Sequence, residues 1–116
     1  MGKNLIIKQI DELQDDFYRI STYIGNNPEL GHEEYKACKV LTEELEKHGF
    51  SVEIGTCGLP TAFMAAYDSG KEGPVIGFMS EYDALPEVGH ACGHNLIGTM
   101  GIAAGIGLSK VIHETG

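Results

Sequence analysis

The sequence predicts an α/β fold in which helices flank a mixed sheet in a three-layer arrangement. Three observations lead to this prediction. The first half of the chain carries apolar residues at helical spacing, the middle holds three short strand-like segments, and a loop and a long apolar helix follow. In an open α/β sheet, ligand sites lie just beyond the carboxyl ends of strands. The loop after the last predicted strand, Met79–Asn95, is therefore the expected functional site.

Two amphipathic helices are predicted before the sheet. The first covers Leu5–Gly25 and ends before Pro28, because a residue that precedes proline disfavours the helical conformation. The second covers about Glu33–His48 and is followed by Gly49, the residue type that usually ends a helix. On its outer face, Glu44 and its charged neighbours are expected to meet solvent. The apolar stripes are Ile6, Ile10, Leu13, Phe17, Ile20 and Ile24 in the first helix, and Tyr35, Cys38, Leu41 and Leu45 in the second.

The three predicted strands are Ser51–Ile54, Ala62–Tyr67 and Pro74–Met79. A turn-rich connector joins the first two, which favours an antiparallel pair. The third is almost entirely apolar, a composition typical of a strand buried on both faces. The final helix is predicted over about Leu96–His113, and it is apolar nearly all round. Such a helix has to be covered on most of its sides.

The composition of the chain disfavours several classes of binding partner. A chain of 116 residues is at most one small domain, and its net charge of -9 disfavours nucleic acids and anionic membranes, which bind clustered Lys and Arg. No apolar run approaches the length of about 20 residues that spans a bilayer, and no secretory leader is expected at the N-terminus. Three cysteines, an odd number, suit a reducing compartment, so the cytoplasm is the predicted location.

The loop Met79–Asn95 concentrates side chains that bind metals. In an extended segment Cys92 and His94, two positions apart, point the same way and could reach one metal ion or a bridged pair. Thiolate and imidazole together suit zinc or another late first-row metal. Asp83 is expected to accept a hydrogen bond from the second nitrogen of a metal-bound histidine. Asn95 is expected to be the N-cap of the following helix.

Other functions remain open on the residues alone. A Cys–His nucleophilic pair, or a thiol-dependent redox or hydrolytic protein that uses Cys92, would need a reactive thiol of low pKa. A closed structural zinc site is disfavoured because the loop holds a single cysteine. The chain also presents more apolar surface than 116 residues readily cover. It is therefore expected either to form a homo-oligomer, as a short metal- or partner-binding module, or to be a fragment of something larger.

Three ordered motifs resemble those of the peptidase M20 family. They are Asn27–Glu34 (Asn-Pro-Glu-Leu-Gly-His-Glu-Glu), Glu81–Pro86 (Glu-Tyr-Asp-Ala-Leu-Pro) and His90–Asn95 (His-Ala-Cys-Gly-His-Asn). The similarity is greatest to the amidohydrolase branch, which contains aminoacylase, hippurate hydrolase, aminobenzoyl-glutamate hydrolase and auxin-conjugate hydrolase relatives. Asn95 stands where many relatives have Asp, and Glu81 where many have an Arg-Ala-Asp-type sequence. These differences favour small dipeptide or aminobenzoyl-glutamate-like substrates.

The resemblance implies a zinc-peptidase-like catalytic domain with two divalent metal ions (zinc, manganese, cobalt or nickel). It implies hydrolysis of the amide bond of small N-acyl amino acids or peptides, with Cys92 and His94 as metal ligands and Asp83 as a supporting carboxylate. The family's general-base glutamate, its further histidine ligands and its lid or dimerisation domain lie downstream of these motifs. Residues 1–116 are therefore expected to be an incomplete, N-terminal part of the catalytic domain. Alone, this part is expected to be inactive and need not hold metal.

Overall fold

The protein is described here by a computed structural model that covers residues 2–70, 72, 75–84, 86, 89–90 and 93–110. Three helices precede a small sheet, a 3-10 turn joins the two strands, and a fourth helix follows. The elements are α1 (Gly2–Glu12), α2 (Gln14–Asn26), α3 (Tyr35–Lys47), β1 (Ser51–Ile54), the 3-10 turn (Thr56–Gly58), β2 (Phe63–Ala66) and α4 (His94–Ser109). Among these described elements, α2, α3 and α4 pack against one another and enclose the core.

The predicted apolar stripes of α2 and α3 supply much of the core. Ile20 and Ile24 of α2 and Leu41 of α3 are fully buried, and Ile106 of α4 meets them. Tyr35 is the exception, since it begins α3 and its side chain is 61% exposed. The buried apolar cluster contains Phe17, Ile20, Ile24, Ala37, Cys38, Leu41, Leu45, Tyr82, Ile102 and Ile106.

The single helix predicted over Leu5–Gly25 is wrong, because the chain breaks at Leu13 into α1 and α2. The amide of Leu13 is shared between the carbonyls of Gln9 and Ile10, both at 3.2 Å, as is common at a helix end. The break allows α1 to lie against the far end of α4. A Cβ added at Gly107 would be 3.2 Å from Ile10 side-chain atoms. Tertiary packing therefore divides a stripe that is continuous in the sequence.

Glu44 is buried, with 4% exposure, although the sequence predicted a solvent-facing carboxylate. Three basic side chains surround it: Nη2 of Arg19 in α2 at 3.5 Å, Nε2 of His48 at 3.2 Å and Nζ of Lys47 at 3.9 Å. A charge leaves water only when it is paired, and these partners supply the pairing. The pattern within α3 could not reveal Arg19, since that residue comes from another helix.

The predicted pairing of the first two strands is confirmed. Strands β1 and β2 are antiparallel, with register from Ser51 opposite Ala66 to Ile54 opposite Phe63. The three-layer arrangement is not confirmed, since the described residues contain this two-stranded sheet and no larger one.

The third predicted strand, Pro74–Met79, is not observed in its described residues. Residues 75–79 form no strand, and Val75 is 99% and Met79 85% exposed. A strand buried on both faces needs neighbours to pair with and layers to cover it. Within the described part of the chain, no strand pairs with this segment, and α4 lies against only its end, at Phe78 and Met79. Apolar composition alone does not bury it.

The last helix runs from His94 to Ser109 and so begins slightly N-terminal of its predicted start, while residues 111–113 of its predicted end lie outside the described residues. One side of α4 contacts residues 79–82 closely. The hydroxyl of Ser80 donates to the carbonyl of Gly98 at 2.8 Å. The opposite side exposes Leu96 (55%) and Met100 (67%), so the expected cover is incomplete. No described helix combines the length and apolarity needed to cross a bilayer.

Candidate active site

Asp83 and His94 meet where the segment after residue 79 passes the start of α4. Asp83 Oδ1 lies 2.7 Å from His94 Nδ1, and the Asp83 carbonyl oxygen lies 3.1 Å from the same nitrogen. His94 is the first residue of α4. With Nδ1–H donating to Asp83, the lone pair of Nε2 is left for another partner. This is the geometry by which carboxylates orient metal-binding histidines.

Glu81 stands at the other nitrogen of the imidazole. Its Oε2 is 3.5 Å from His94 Nε2, so the ring lies between two carboxylates. The side chains of His94, Asp83 and Glu81 are 21%, 39% and 59% exposed. The site is therefore open to a small molecule on the Glu81 side and more enclosed on the Asp83 side. The sequence singled out Glu81 as a departure from the family pattern and assigned it no role at the site.

The start of α4 is set by Gly93 and not, as predicted, by Asn95. Gly93 is the N-cap residue and adopts a left-handed backbone with φ of +76°, which glycine tolerates best. Asn95 is inside the helix, and its Nδ2 donates to the carbonyl of Ser21 at 3.3 Å. The side chain thus ties α4 to α2. The left-handed turn at Gly93 directly precedes His94, whose ring meets Asp83.

Cys92, the second predicted metal ligand, lies outside the described residues. Its role as a ligand stays a prediction, and so does the alternative of a thiol-based reaction. Within the described part of the chain, no group of three or more His, Cys, Asp or Glu residues is arranged to hold a metal ion. Nε2 of His94 and the carboxylate of Glu81, which lie 3.5 Å apart, are nevertheless ligand types that zinc binds. The residues present fit part of a metal site.

His90 contributes a second imidazole near this position. Both of its ring nitrogens are buried and have no hydrogen-bond partner in the described part of the chain. Burial is the main cause that lowers the pKa of His90 from its usual value, and a protonated His94 would lower it further. The neutral ring is therefore favoured.

Two carboxylates of the first motif, Asn27–Glu34, make hydrogen bonds that hold segments next to the site. Glu34 is the N-cap residue of α3, and its side chain makes no capping hydrogen bond. Its Oε1 instead accepts a hydrogen bond from Thr61 at 2.8 Å. Glu29 caps α3 from seven residues away: Oε2 accepts from the amide of Lys36 and Oε1 from that of Ala37, each at 2.9 Å. Sequence reasoning missed Glu29 because no local capping pattern includes it.

Tyr82, next to Asp83, anchors the same segment in the core. Its hydroxyl donates a hydrogen bond to the carbonyl of Thr61, and its ring stacks on Phe63 at a centroid distance of 5.8 Å. Burial, with the nearby Cys38 and Glu34, raises the pKa of Tyr82 well above its usual value. Residues on both sides of Asp83 are thus buried, since Ala84 is only 4% exposed.

Comparison with known proteins gives several relatives over most of the chain. The Xaa-Arg dipeptidase of Mus musculus is 40% identical in an alignment of 120 positions that covers 97% of this chain and 28% of the relative. One component of the p-aminobenzoyl-glutamate hydrolase of Escherichia coli is 36% identical in an alignment of 114 positions that covers 84% of this chain and 23% of the relative. Over the matched residues, this chain belongs to the M20-family amidohydrolases. The resemblance of the three motifs is thereby confirmed.

Other M20 relatives also match most of the chain but only part of their own length. The hippurate hydrolase of Campylobacter jejuni is 32% identical in an alignment of 106 positions that covers 78% of this chain and 27% of the relative. No family model matches the chain. The chain spans about a quarter of the length of the M20 relatives it matches. Their names are those of peptidases and amidohydrolases.

Proposed function

We propose that this chain forms part of a metal-dependent amidohydrolase that cleaves the amide bond of small N-acyl amino acids or peptides. The observation that carries the proposal is the 2.7 Å contact between Asp83 Oδ1 and His94 Nδ1, which leaves Nε2 for a metal. The reaction class comes from the M20 relatives, which are peptidases and amidohydrolases by name. The proposed place of action is the cytoplasm, and neither nucleic acid nor membrane takes part.

Each residue has a defined part in this proposal. Asp83 holds the Nδ1–H of His94, so that Nε2 keeps its lone pair and its direction. Cys92 is the proposed second ligand, and Glu81, 3.5 Å from Nε2, is a further donor at the open side. Two divalent ions (zinc, manganese, cobalt or nickel), when bound, would polarise the amide carbonyl and activate water. The family resemblance places the general base downstream, so the 116-residue chain alone is proposed to show no turnover.

Metal binding can be measured directly on the chain. Cobalt(II) titration followed by visible absorption reports imidazole and thiolate ligation. We expect His94→Ala to abolish the specific signal and Asp83→Asn to weaken the affinity by about 10- to 100-fold. Glu33→Gln is the matched control, because this carboxylate is exposed and lies outside the site. Equal affinities in Asp83→Asn and Glu33→Gln would count against the proposed support of His94.

Catalysis can be tested by transplantation into a relative of full length. Residues 1–116 would replace the matching segment of the E. coli p-aminobenzoyl-glutamate hydrolase component. We expect the chimera, assembled with the rest of that hydrolase, to cleave its substrate, and His94→Ala in the chimera to abolish the activity. Circular dichroism and metal content show whether the chimera is folded and loaded. A folded, metal-loaded chimera without turnover would contradict the proposal, as would full turnover with His94→Ala.

A second proposal, that the chain is a partner-binding module, is favoured by its exposed apolar residues. Val75, Met79 and Met100 are 99%, 85% and 67% exposed, and Ile76 is 62% exposed. Exposed apolar area of this kind commonly marks an interaction surface. The proposed partner is a second copy of the chain. Light scattering should then give a dimer or larger, and Val75→Lys with Met79→Lys should convert it to a monomer, whereas a monomeric parent chain would exclude this proposal.

A further inference from the structure

We propose that Glu29 is a positioning residue of the candidate active site. Its carboxylate is fixed to the first turn of α3, and its carbonyl oxygen holds the backbone amide of Ala84, directly after Asp83. Glu29 would thereby set the direction in which the Asp83 carboxylate meets His94. The inference rests on the proposed function only in taking the Asp83–His94 pair as part of the active site.

The side-chain end of Glu29 is fixed by two hydrogen bonds. Oε2 accepts from the amide of Lys36 and Oε1 from the amide of Ala37, both at 2.9 Å. These amides belong to the first turn of α3, where a helix has no internal acceptors of its own. The negative charge also lies at the positive end of the helix dipole. Both oxygens of the carboxylate are thus engaged, so its side-chain torsions are restricted.

The backbone end of the same residue holds the Asp83 segment. The amide of Ala84 donates to the carbonyl of Glu29 at 2.6 Å, and Leu30 and Ala84 form an isolated parallel bridge. Ala84 is 4% exposed, so this contact lies away from water, where a lost hydrogen bond is costly. A single residue therefore links the start of α3 to the position following Asp83.

The Asp83 side chain depends on this link because burial does not hold it. Its side chain is 39% exposed, in contrast to the buried Tyr82 and Ala84 on either side. The direction of a half-exposed carboxylate follows from its own backbone and from its hydrogen-bond partner. Movement of the Ala84 backbone would consequently change the 2.7 Å contact with His94. A helix cap with a merely structural role would leave that contact unchanged in the folded state.

NMR spectroscopy of the His94 ring distinguishes a positioning role of Glu29 from a merely structural role as a helix cap. In the folded chain, the Nδ1–H signal of His94 reports its hydrogen bond to Asp83. We expect Glu29→Gln, which removes the charge and one of the two acceptor oxygens, to shift this signal upfield and to shift the Ala84 amide as well. Glu33→Gln is the exposed carboxylate control. Leu45→Ala is the stability control, because it destabilises α3 through the core without touching Glu29.

The inference is overturned if Glu29→Gln lowers the melting temperature but leaves the His94 signal as in the parent chain, or if Leu45→Ala shifts that signal equally. Hydrogen exchange on the unmodified chain gives a test that needs no variant. The amide of Ala84 should be protected to within about tenfold of the amides of Lys36 and Ala37. An Ala84 amide that exchanges as in an unfolded chain would also overturn the inference. Zinc affinity is measured separately, so failure of the proposed function would show as no binding in parent and variants alike.

Discussion

Gly101 lies against the backbone of Met79 so closely that an added Cβ would be 2.8 Å from the Met79 carbonyl oxygen. The same Cβ would be 2.9 Å from the Cβ of Ser80, which leaves no room for a side chain. This contact, together with that at Gly98, presses residues 79–82 onto α4. Asp83 directly follows residues 79–82, and His94 is the first residue of α4. The close packing at Gly98 and Gly101 therefore brings the two residues of the candidate site together.

Gly101→Ala is therefore expected to destabilise the protein by about 1 kcal/mol or more. The added Cβ meets backbone atoms of Met79 and Ser80, which cannot rotate away, so the cost lies in the upper part of the about 1 to 3 kcal/mol that overpacking takes, and the gain in helix propensity of about 1 kcal/mol offsets only part of it. Gly105→Ala is the matched control, since the nearest atom to its added Cβ is 3.7 Å away on Phe50. It should be neutral or stabilising by up to about 1 kcal/mol. Urea denaturation measures both, and equal effects would refute the packing argument.

Tyr82 should make stability fall at alkaline pH. Burial raises the pKa of its phenol above the usual value of 10, so the folded protein keeps the proton that the unfolded chain releases. The stabilising contribution is complete below pH 10 and is lost as the pH rises above it, by about 1.4 kcal/mol per pH unit. Tyr82→Phe removes the hydrogen bond to Thr61 and should lower the free energy of unfolding by about 1 kcal/mol at neutral pH. Its free energy of unfolding should then fall less steeply with pH above pH 10 than that of the parent chain. Identical slopes would exclude this explanation.

The buried carboxylate of Glu44 should contribute far more to the stability of the fold than the carboxylate of its neighbour Glu43. Glu44→Gln removes the charge that faces Arg19 and His48, and we expect a loss of about 1 to 3 kcal/mol. Glu43 is 62% exposed and faces Lys39 at 3.9 Å, so Glu43→Gln should change stability by no more than about 0.5 kcal/mol. Thermal denaturation of the pair provides the comparison. Similar losses of stability in Glu44→Gln and Glu43→Gln would contradict a stabilising role for the buried charge of Glu44.

The thiols of Cys38 and Cys57 should differ in reactivity. Cys38 is 4% exposed, and burial raises the pKa of its thiol, which lowers the fraction of reactive thiolate. Cys57 is exposed. Iodoacetamide should therefore modify Cys57 at least about tenfold faster than Cys38, as followed by peptide mass spectrometry. Comparable rates in the native protein would mean that the core around Cys38 opens readily.

The local elements of this fold could be predicted because their signals are local. Ile20, Ile24 and Leu41 recur at helical spacing and are buried as expected, and the turn before Phe63 produces the antiparallel pair. The motifs around Asp83 and His94 indicate the site and its family from residue type and order alone. The break at Leu13 was not predictable in this way. It places α1 against Gly107 of α4, and a contact between residues so far apart in the chain leaves no local pattern.

The sequence by itself determined the helical stripes and the hairpin, and its three motifs identified the family by resemblance. The stripes and the hairpin follow from periodicity and turn residues, which act over a few residues. Only the tertiary structure decided that Glu29 caps α3, that Arg19 meets Glu44, and that Asp83 lies 2.7 Å from His94. It also decided that residues 75–79 stay exposed, since burial depends on which elements lie alongside a segment. Contacts between residues far apart in the chain have no local pattern, and the fold alone creates them.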